Sequence, residues 1–403
     1  MAPQMRPPAL AAAAVLLLAV AALPAVAAPG AVPHDAGPAR AEPAPLHRAA
    51  DPIPGRYIVT LGEDASSRAV LDEALPGVEP LFTYTAALNG FAAELSADQL
   101  AAVRERPEVT AVEEDSYASG SPAAAPTPRA DAASWGLDRI DQPYLPLDQR
   151  FTVRGTGAGT TVYVVDSGIE FTHAEFEGRA VRGFDSVGDG RDGADCAGHG
   201  THVAGTVGGA TYGVAREATL VSVRVLGCDN RGSWAQIIAG FDWVAEHAGQ
   251  PAIAQASLGG GFNRAVNDAV DQLAERGILP VVAAGNDSRD ACEVSPASAD
   301  RALTVGASDP EDRETGFSNF GPCLELYAPG QAVVSARLGG GGTAKNGTSM
   351  AAPHVSGVAA LHQEANPEAT PRETEDWLVE QSTKDVLDVT KTSPNRLLAT
   401  GDL

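Results

Sequence analysis

The chain has 403 residues, of which 44% are hydrophobic and 20% are charged. This composition is typical of a globular protein with a sizeable core, and it excludes a disordered or fibrous chain. The formal net charge is −24, from 28 Lys and Arg residues against 52 Asp and Glu residues. So large an acid excess repels phosphates and anionic lipids, which argues against nucleic acid or a membrane surface as a partner.

The first predicted element is a secretory signal. Residues 9–26 form an apolar run of Ala, Leu and Val, which follows Arg6 and closes on an Ala-Val-Ala pattern. This predicts a signal peptide over residues 1–28, cleaved after Ala27 or Ala28, and therefore a secreted protein. A membrane anchor is the alternative, but a span needs about 20 apolar residues without such a cleavage site.

Three segments follow, and their compositions differ. Residues 29–54 are rich in Ala and Pro and are predicted to be a linker. Residues 55–117 then show strand, helix, strand, strand, helix and strand patterns in that order, with Ser96 placed to cap the second helix. This order predicts a small ferredoxin-like α+β unit. Residues 118–133, again rich in Ala, Pro and Ser, are predicted to be an exposed linker that proteases can cleave.

Residues 134–403 alternate apolar strands with helices. Continuous apolar strands separated by helices predict a doubly wound, mostly parallel sheet with helices on both faces. Ligands of such sheets bind beyond the carboxyl ends of the strands. The clearest strand patterns lie at 161–165, 220–225, 252–256 and 278–284, and the helix patterns between them lie at 236–247 and 265–276.

Three positions in this domain carry reactive side chains. Asp166 directly follows a strand in VVDSG, His199 lies in a Gly-rich and Ala-rich helical segment, and Ser349 begins an apolar helix. Taken singly, each has a structural explanation, because Ser caps helices and Asp occupies turns. His199 and His202 could form a metal pair, but two His residues without an acidic helix partner are weak evidence for zinc.

Taken together, the three positions favour nucleophilic catalysis. A serine hydroxyl becomes a useful nucleophile when an imidazole accepts its proton, and a carboxylate must orient that imidazole. Asp166, His199 and Ser349 supply these groups, each beside small residues that let a substrate backbone approach. The start of a helix also directs the Ser349 N–H toward developing negative charge.

The segments around these residues resemble those of a known family. VVDSG, GHGTHVAG and GTSMAAPH are similar to the motifs of the subtilisin-like serine proteases, which share the order Asp, His, Ser. The resemblance covers the chain from about residue 135 to the end. It implies that Ser349 is the nucleophile, that His199 is the general base and then the acid, and that Asp166 orients it. It implies a structural role for His202.

The same resemblance implies how a substrate is held. The AAGN segment at 283–286 is similar to the family's oxyanion strand, so Asn286 would donate its amide to the tetrahedral intermediate beside the backbone N–H of Ser349. The peptide would lie as an extended strand between two enzyme strands. We expect broad endopeptidase activity with apolar or aromatic residues in the S1 pocket. The implied substrate-binding residues are Gly232, Trp234, Ser257, Leu258, Gly259, Ala283, Ala284 and Gly285.

The pairing of the four cysteines is inferred from the branch of the family that the chain resembles. WGLDRID at 135–141 resembles the proteinase K and aqualysin-type enzymes. Four cysteines allow three pairings by arithmetic alone. A free catalytic cysteine is the alternative, but an exported chain with an even number disfavours it. The resemblance selects the pairs Cys196–Cys228 and Cys292–Cys323.

Structural Ca²⁺ is the cofactor that we expect, at two sites. The first is a short acidic segment with several hard oxygen ligands, as calcium requires, and it resembles an aqualysin-type site. The second, also implied by the resemblance, would use backbone carbonyls and one carboxylate. A solvated acidic turn is the alternative. The ligands are Asp138, Asp141, Gln142 and Asp148 for the first site, and Asp300, Ala302 and Glu325 for the second.

The α+β unit resembles the inhibitor-type propeptide of this family. This implies a zymogen whose own propeptide blocks the active site until autolysis within residues 118–133. The partners that we expect are protein and peptide substrates and this propeptide, in a monomer.

Three other functions are compatible with parts of this sequence. An inactive binding protein on this fold would lack a triad residue or Asn286, and none is missing. A metallohydrolase centred on His199 and His202 would lose its activity to chelators. A polysaccharide-active enzyme would need paired carboxylates across a cleft, and the sequence nominates no such pair.

Overall fold

The computed structural model describes residues 42–120, 134–389 and 392–403. The predicted signal peptide and most of the predicted cleavable linker lie outside these ranges. Within them, no helix combines the length and the apolar character that a membrane span requires.

The N-terminal part of the described chain is a small α+β unit. Its strands run in the order β5-β2-β4-β3, and every neighbouring pair is antiparallel, which is the ferredoxin-like arrangement. Both helices pack on one face of this sheet, and Ser96 and Gln99 form a capping box at the start of the second. The elements are β1 Leu46–His47, β2 Pro52–Leu61, α1 Ser67–Ala74, β3 Phe82–Tyr84, β4 Gly90–Glu94, α2 Ala97–Arg104 and β5 Val109–Gly120.

Strands extend beyond both predicted ends of this unit. β1 and the start of β2 fall in the segment 29–54 that was predicted to be a linker, and Leu46 of β1 pairs with Val112 of β5. At the other end, β5 continues to Gly120, three residues past the predicted end at 117. β1 and the start of β2 pair with β5, and the extension of β5 pairs with β9 and β11 of the larger domain. A local sequence pattern does not reveal these distant partners.

The larger domain is built from fourteen strands and six helices in its described residues. The strands are β6 Thr161–Asp166, β7 Ala180–Asp185, β8 Thr219–Arg224, β9 Arg231–Ser233, β10 Ala252–Ala256, β11 Leu258–Gly261, β12 Leu279–Ala283, β13 Val294–Ser295, β14 Leu303–Ser308, β15 Leu326–Pro329, β16 Val333–Ala336, β17 Gly342–Lys345, β18 Thr383–Lys384 and β19 Arg396–Leu397. The helices are α3 Trp135–Ile140, α4 His199–Gly208, α5 Trp234–His247, α6 Arg264–Glu275, α7 Thr348–Ala365 and α8 Pro371–Gln381.

The central sheet has the order β18-β19-β15-β14-β12-β10-β6-β8-β7. All neighbours are parallel except β18 and β19. Alternate side chains of β6 face opposite ways: Val162 and Val164 pack with α4 and α7, whereas Tyr163 and Val165 pack with α5 and α6. The predicted fold class, a doubly wound and mostly parallel sheet covered on both faces, is therefore confirmed.

The second face of the small sheet covers α5 and α6. The carboxylate of Asp242 in α5 accepts backbone hydrogen bonds from residues 85–87, at 2.7–3.1 Å. The Tyr84 hydroxyl donates to the carbonyl oxygen of Ala235 at 3.1 Å. These hydrogen bonds fix the α+β unit to α5.

Two buried carboxylates of β5 lie at the starts of these helices. Glu113 accepts a hydrogen bond from the backbone N–H of Ala265 at 3.3 Å, and Asp115 accepts one from that of Ala235 at 3.1 Å. Burial raises the pKa of Glu113 to about 7 and also raises that of Asp115. The unpaired N–H groups at a helix start favour such acceptors.

Two disulfides join loops of the larger domain. Cys196 is bonded to Cys228, and Cys292 to Cys323. These are the pairs that the family resemblance selects. The first bridge connects the loop before α4 with the loop before β9, and it thereby links the helix of His199 to the strand bearing Gly232.

Candidate active site

The three candidate catalytic residues lie at the ends of separate elements. Asp166 is the last residue of β6, His199 is the first residue of α4, and Ser349 is the second residue of α7. All three side chains are buried. Nδ1 of His199 lies 2.8 and 3.0 Å from the two carboxylate oxygens of Asp166. The Asp166 carboxylate therefore fixes the orientation of the imidazole ring.

Ser349 is held next to the end of β10. Its hydroxyl donates to the carbonyl oxygen of Ser257 at 3.1 Å, and the Ser257 hydroxyl donates back to the carbonyl oxygen of Ser349 at 2.9 Å. The Nε2 atom of His199 is buried and has no hydrogen-bond partner among the described residues. A rotation of the Ser349 side chain would free its hydroxyl from Ser257.

Asn286 supplies an oriented amide beside Ser349. Its Oδ1 accepts hydrogen bonds from the backbone N–H and the hydroxyl of Thr348, at 2.8 and 3.1 Å. Its Nδ2 is buried and unpaired within the described part of the chain. A Cβ atom on Gly347 would lie 3.4 Å from this Nδ2 and 3.6 Å from the Ser349 nitrogen. The bare glycine therefore leaves a space that faces both donors.

Asn319 is a supporting residue that sequence reasoning missed. Its Nδ2 donates to the carbonyl oxygen of Ala284 at 2.8 Å, and its Oδ1 accepts from the backbone N–H groups of Asp287 and Arg289. These bonds fix the loop that carries Asn286 on both sides. Its own segment, FSNFG at 317–321, has no pattern that marks these contacts.

His202 points away from the Asp166–His199 pair. Its Nε2 contacts the carbonyl oxygens of Val333 and Thr343, each at 3.1 Å, and burial lowers its pKa to about 3. The ring is therefore neutral and fastens α4 to the β16–β17 hairpin. The metal-pair alternative gains no support from this geometry.

The end of β5 lies between two strands of the larger domain. Residues 117–120, here called the tail, pair antiparallel with β9 on one side and β11 on the other. Three of the implied substrate-binding residues provide these pairs: Gly232 faces Ala118, Gly259 faces Ser119, and Leu258 faces Gly120.

The remaining implied substrate-binding residues surround the tail in two places. Trp234 is fully buried and lies in one apolar cluster with Ala118. A cavity of about 100 Å³ opens beside Ser119. Ser257 does not line it but bonds to Ser349. The cavity lining includes Gly259, Ala283, Ala284, Gly285 and Asn286.

The first predicted calcium segment brings three carboxylates near one another. Asp138 accepts backbone hydrogen bonds from Asp148 and Gln149, and Asp141 accepts one from Thr152. Burial raises the pKa of Asp141, and the charges of Asp138 and Asp148 raise it further. Carboxylate oxygens suit a hard cation, but within the described ranges these three residues do not bring their ligand atoms within 4.8 Å of one another.

The side chains of the second predicted calcium segment do not point to one place. Glu325 is partly buried, and this burial raises its pKa to about 8. It accepts a 2.6 Å hydrogen bond from the backbone N–H of Thr304. The Asp300 side chain is exposed and interacts with Asp268 and Asp271 of α6. These contacts do not bring the Asp300 carboxylate to Glu325, although a ligand role for its backbone carbonyl does not require that.

Two family profiles match the chain. The profile of the subtilase family, peptidase S8, covers residues 157–400, and that of the peptidase inhibitor I9 covers residues 56–119. The first range contains the parallel sheet and the triad candidates. The second contains most of the α+β unit and of its tail.

Characterised relatives agree with these profiles. The chain is 44% identical to the extracellular serine proteinase of Thermus sp. (strain Rt41A) over 379 residues, which cover 87% of this chain and 91% of the relative. It is also 44% identical to alkaline serine exoprotease A of Vibrio alginolyticus over 80% of this chain, spanning 60% of that protein. A solved structure of a cold-adapted subtilisin-like serine proteinase superposes with a TM-score of 0.65 at 45% identity, covering 66% of this chain and 97% of that one.

The fold and the site define a hydrolase of the serine peptidase class with an inhibitory N-terminal unit. The chain belongs to the subtilase family. The resemblance to subtilisin-like serine proteases with an inhibitor-type propeptide is confirmed.

Proposed function

We propose that this chain is a secreted serine endopeptidase in which Asp166, His199 and Ser349 form the catalytic triad. The observation that carries the proposal is the hydrogen bond from His199 Nδ1 to Asp166. It leaves Nε2 as the ring nitrogen available for proton transfer. Serine peptidases require this arrangement of base and orienting carboxylate.

The reaction follows from the positions of these groups. The Ser349 hydroxyl rotates from Ser257 to His199 Nε2, gives up its proton there and attacks the peptide carbonyl carbon. Asp166 keeps the imidazole in the correct tautomer and stabilises its cation. His199 then donates the proton to the leaving amine, and a water molecule hydrolyses the acyl-enzyme by the reverse sequence.

Asn286 and the start of α7 stabilise the intermediate. The oxyanion of the tetrahedral intermediate would lie in the space left by Gly347, between the Asn286 amide and the Ser349 N–H. Preorganised donors of this kind act mainly on the transition state, because charge develops only there.

The tail explains why the precursor is inactive. It occupies the strand position between β9 and β11 that an extended substrate would need. Activity then requires cleavage within 118–133 and departure of the α+β unit together with its tail, as the zymogen hypothesis states. The cavity beside Ser119, lined by small residues, would accept the apolar or aromatic side chain before the scissile bond.

We also propose structural Ca²⁺ at the first acidic segment. Asp138, Asp141 and Asp148 would provide carboxylate oxygens, and Gln142 its amide oxygen, because its Nε2 is occupied by carbonyl oxygens of the same loop. Bound calcium would neutralise their mutual repulsion and stiffen the segment after α3. The second site has weaker support.

The deciding experiment uses the full precursor and Ser349→Ala. The wild-type chain should mature and digest casein, whereas the variant should do neither. A trace of active enzyme added to the variant should cut it only within residues 118–133 and leave the flanking parts intact, because an unfolded variant would be digested throughout. A variant that matures alone and digests casein would contradict the triad, and activity lost to chelators but resistant to serine-directed phosphonates would favour a metallohydrolase.

A further inference from the structure

The tail presents neighbouring side chains to opposite sides of the cleft. Ala118 is only 3% exposed and packs with Trp234 and Leu258. Tyr117, the residue before it, is 47% exposed. This alternation is that of an extended strand. One face of the tail therefore packs on the apolar residues Trp234 and Leu258. The opposite, open face, which bears Tyr117, is accessible to side chains of the neighbouring strands.

Arg231 covers the open face. The central carbon of its guanidinium lies 4.6 Å from the centre of the Tyr117 ring, within the range of a cation–π contact. Among the described residues, no carboxylate forms an ion pair with this guanidinium, so the Tyr117 ring is the group that it contacts there.

The backbone of Arg231 is held independently of the tail. Its N–H donates to the Asp229 carboxylate at 3.2 Å, and its carbonyl oxygen accepts from the N–H of Gly227 at 2.8 Å. The backbone that bears the guanidinium is therefore held by hydrogen bonds within the larger domain, and these remain when the tail has left. The side chain can then meet whatever residue next takes the place of Tyr117.

We propose that Arg231 is a specificity-determining residue that favours substrates with an aromatic side chain at the position filled by Tyr117. The inference rests on the proposed function, because it assumes that a substrate takes the place of the tail. The backbone pairs of Ala118 with Gly232 and of Ser119 with Gly259 set the register without regard to side chains. A substrate residue in the place of Ala118 packs on Trp234. The substrate residue before it then takes the place of Tyr117 and lies next to Arg231.

The expected effect is modest and measurable. A cation–π contact at an exposed site corresponds to about a two- to five-fold change in binding. Arginine also stacks flat on aromatic rings, which lysine does not. The preference should therefore depend on the π-face of the substrate side chain, and apolar bulk alone should not produce it.

The test uses the mature enzyme and p-nitroanilide peptides of the form Xaa-Ala-Ser-Gly-Phe, which keep residues 118–120 of the tail. Xaa is Tyr, Phe, cyclohexylalanine or Glu. The fixed leaving group holds the cleavage site constant, and active-site titration corrects for enzyme concentration. The variants are Arg231→Gln and the matched control Arg216→Gln, whose guanidinium lies 5.4 Å from the Phe151 ring.

We expect kcat/KM for Tyr and Phe to exceed that for cyclohexylalanine about two- to five-fold in the wild type. This ratio should fall to about one in Arg231→Gln and stay unchanged in Arg216→Gln. Equal rates for aromatic and saturated rings in the wild type, or a stronger preference for Glu, would overturn the inference while leaving the proposed function intact. Failure of the wild type to hydrolyse any peptide would instead contradict the proposed function.

Discussion

The side chain of Asn319 donates a 2.8 Å hydrogen bond to the carbonyl oxygen of Ala284, two residues before Asn286. Its carboxamide oxygen accepts from the N–H groups of Asp287 and Arg289 on the other side of Asn286. One buried amide thus holds both arms of the loop that positions the proposed oxyanion donor. Asn319 is a positioning residue, because it acts through Asn286.

Asn319→Ala is expected to lower kcat about ten-fold or more with little change in KM, because misplacing a preorganised donor weakens binding of the transition state more than of the substrate. Steady-state kinetics with one peptide anilide would measure both constants. The matched control is Asn267→Ala, which removes a buried asparagine of α6 that bonds to Ser298. A rise in KM with kcat unchanged would contradict the positioning role.

Asn286→Ala is expected to lower kcat about 10²–10³-fold, the size typical of one oxyanion-hole donor. KM should change little, because the amide is directed at the space beside Gly347 rather than at the tail. Combining Asn286→Ala with Ser349→Ala should add almost nothing, because the donor has no function once the nucleophile is gone. Strictly multiplicative losses in the double variant would argue against a shared intermediate.

The parallel sheet could be predicted because each strand is a short apolar run bounded by helices. The strand β10, for example, was predicted at 252–256 and lies at Ala252–Ala256. Such periodicity is local, and so are the motifs that identify Asp166, His199 and Ser349.

What the sequence did not reveal depends on distant partners. The extension of β5 to Gly120 is stabilised by strands more than 100 residues away along the chain. Asn319 is likewise linked to the Asn286 loop only by tertiary hydrogen bonds. Neither leaves a periodic signal in its own segment. The contact between Arg231 and Tyr117 belongs to the same class.

Removal of Ca²⁺ is expected to shorten the thermal-inactivation half-life of the mature enzyme. A ligand at 100 times its Kd stabilises the native state by about 2.7 kcal/mol, so a change of roughly ten-fold or more is reasonable. Asp138→Asn and Asp141→Asn should reduce the difference between half-lives with calcium and with chelator. Glu246→Gln, which changes an exposed acid of α5, should keep the full difference. Identical half-lives for the wild type in calcium and in chelator would contradict both predicted sites.

Glu113 is expected to make attachment of the propeptide depend on pH. Burial raises its pKa from 4.5 to about 7. A group whose pKa is raised on folding binds its proton more tightly in the folded state, so its contribution is complete below about pH 4.5 and is lost as the pH rises to about 7. The change corresponds to roughly 3 kcal/mol. The precursor should therefore hold its propeptide more weakly at neutral and alkaline pH.

The measurement uses precursors that carry Ser349→Ala, so that no autolysis occurs. Urea titrations are followed by tryptophan fluorescence, to which Trp234 beneath Ala118 contributes. Glu113→Gln resembles the protonated carboxyl. It should raise the urea midpoint at pH 8 and flatten the fall in stability between pH 5 and pH 7, relative to its parent. Glu114→Gln alters the adjacent residue, which pairs with Arg48 at 3.1 Å, and should keep the pH profile of the parent. If Glu113→Gln and its parent lost stability in parallel over this range, the Glu113 carboxyl would not be the group that titrates.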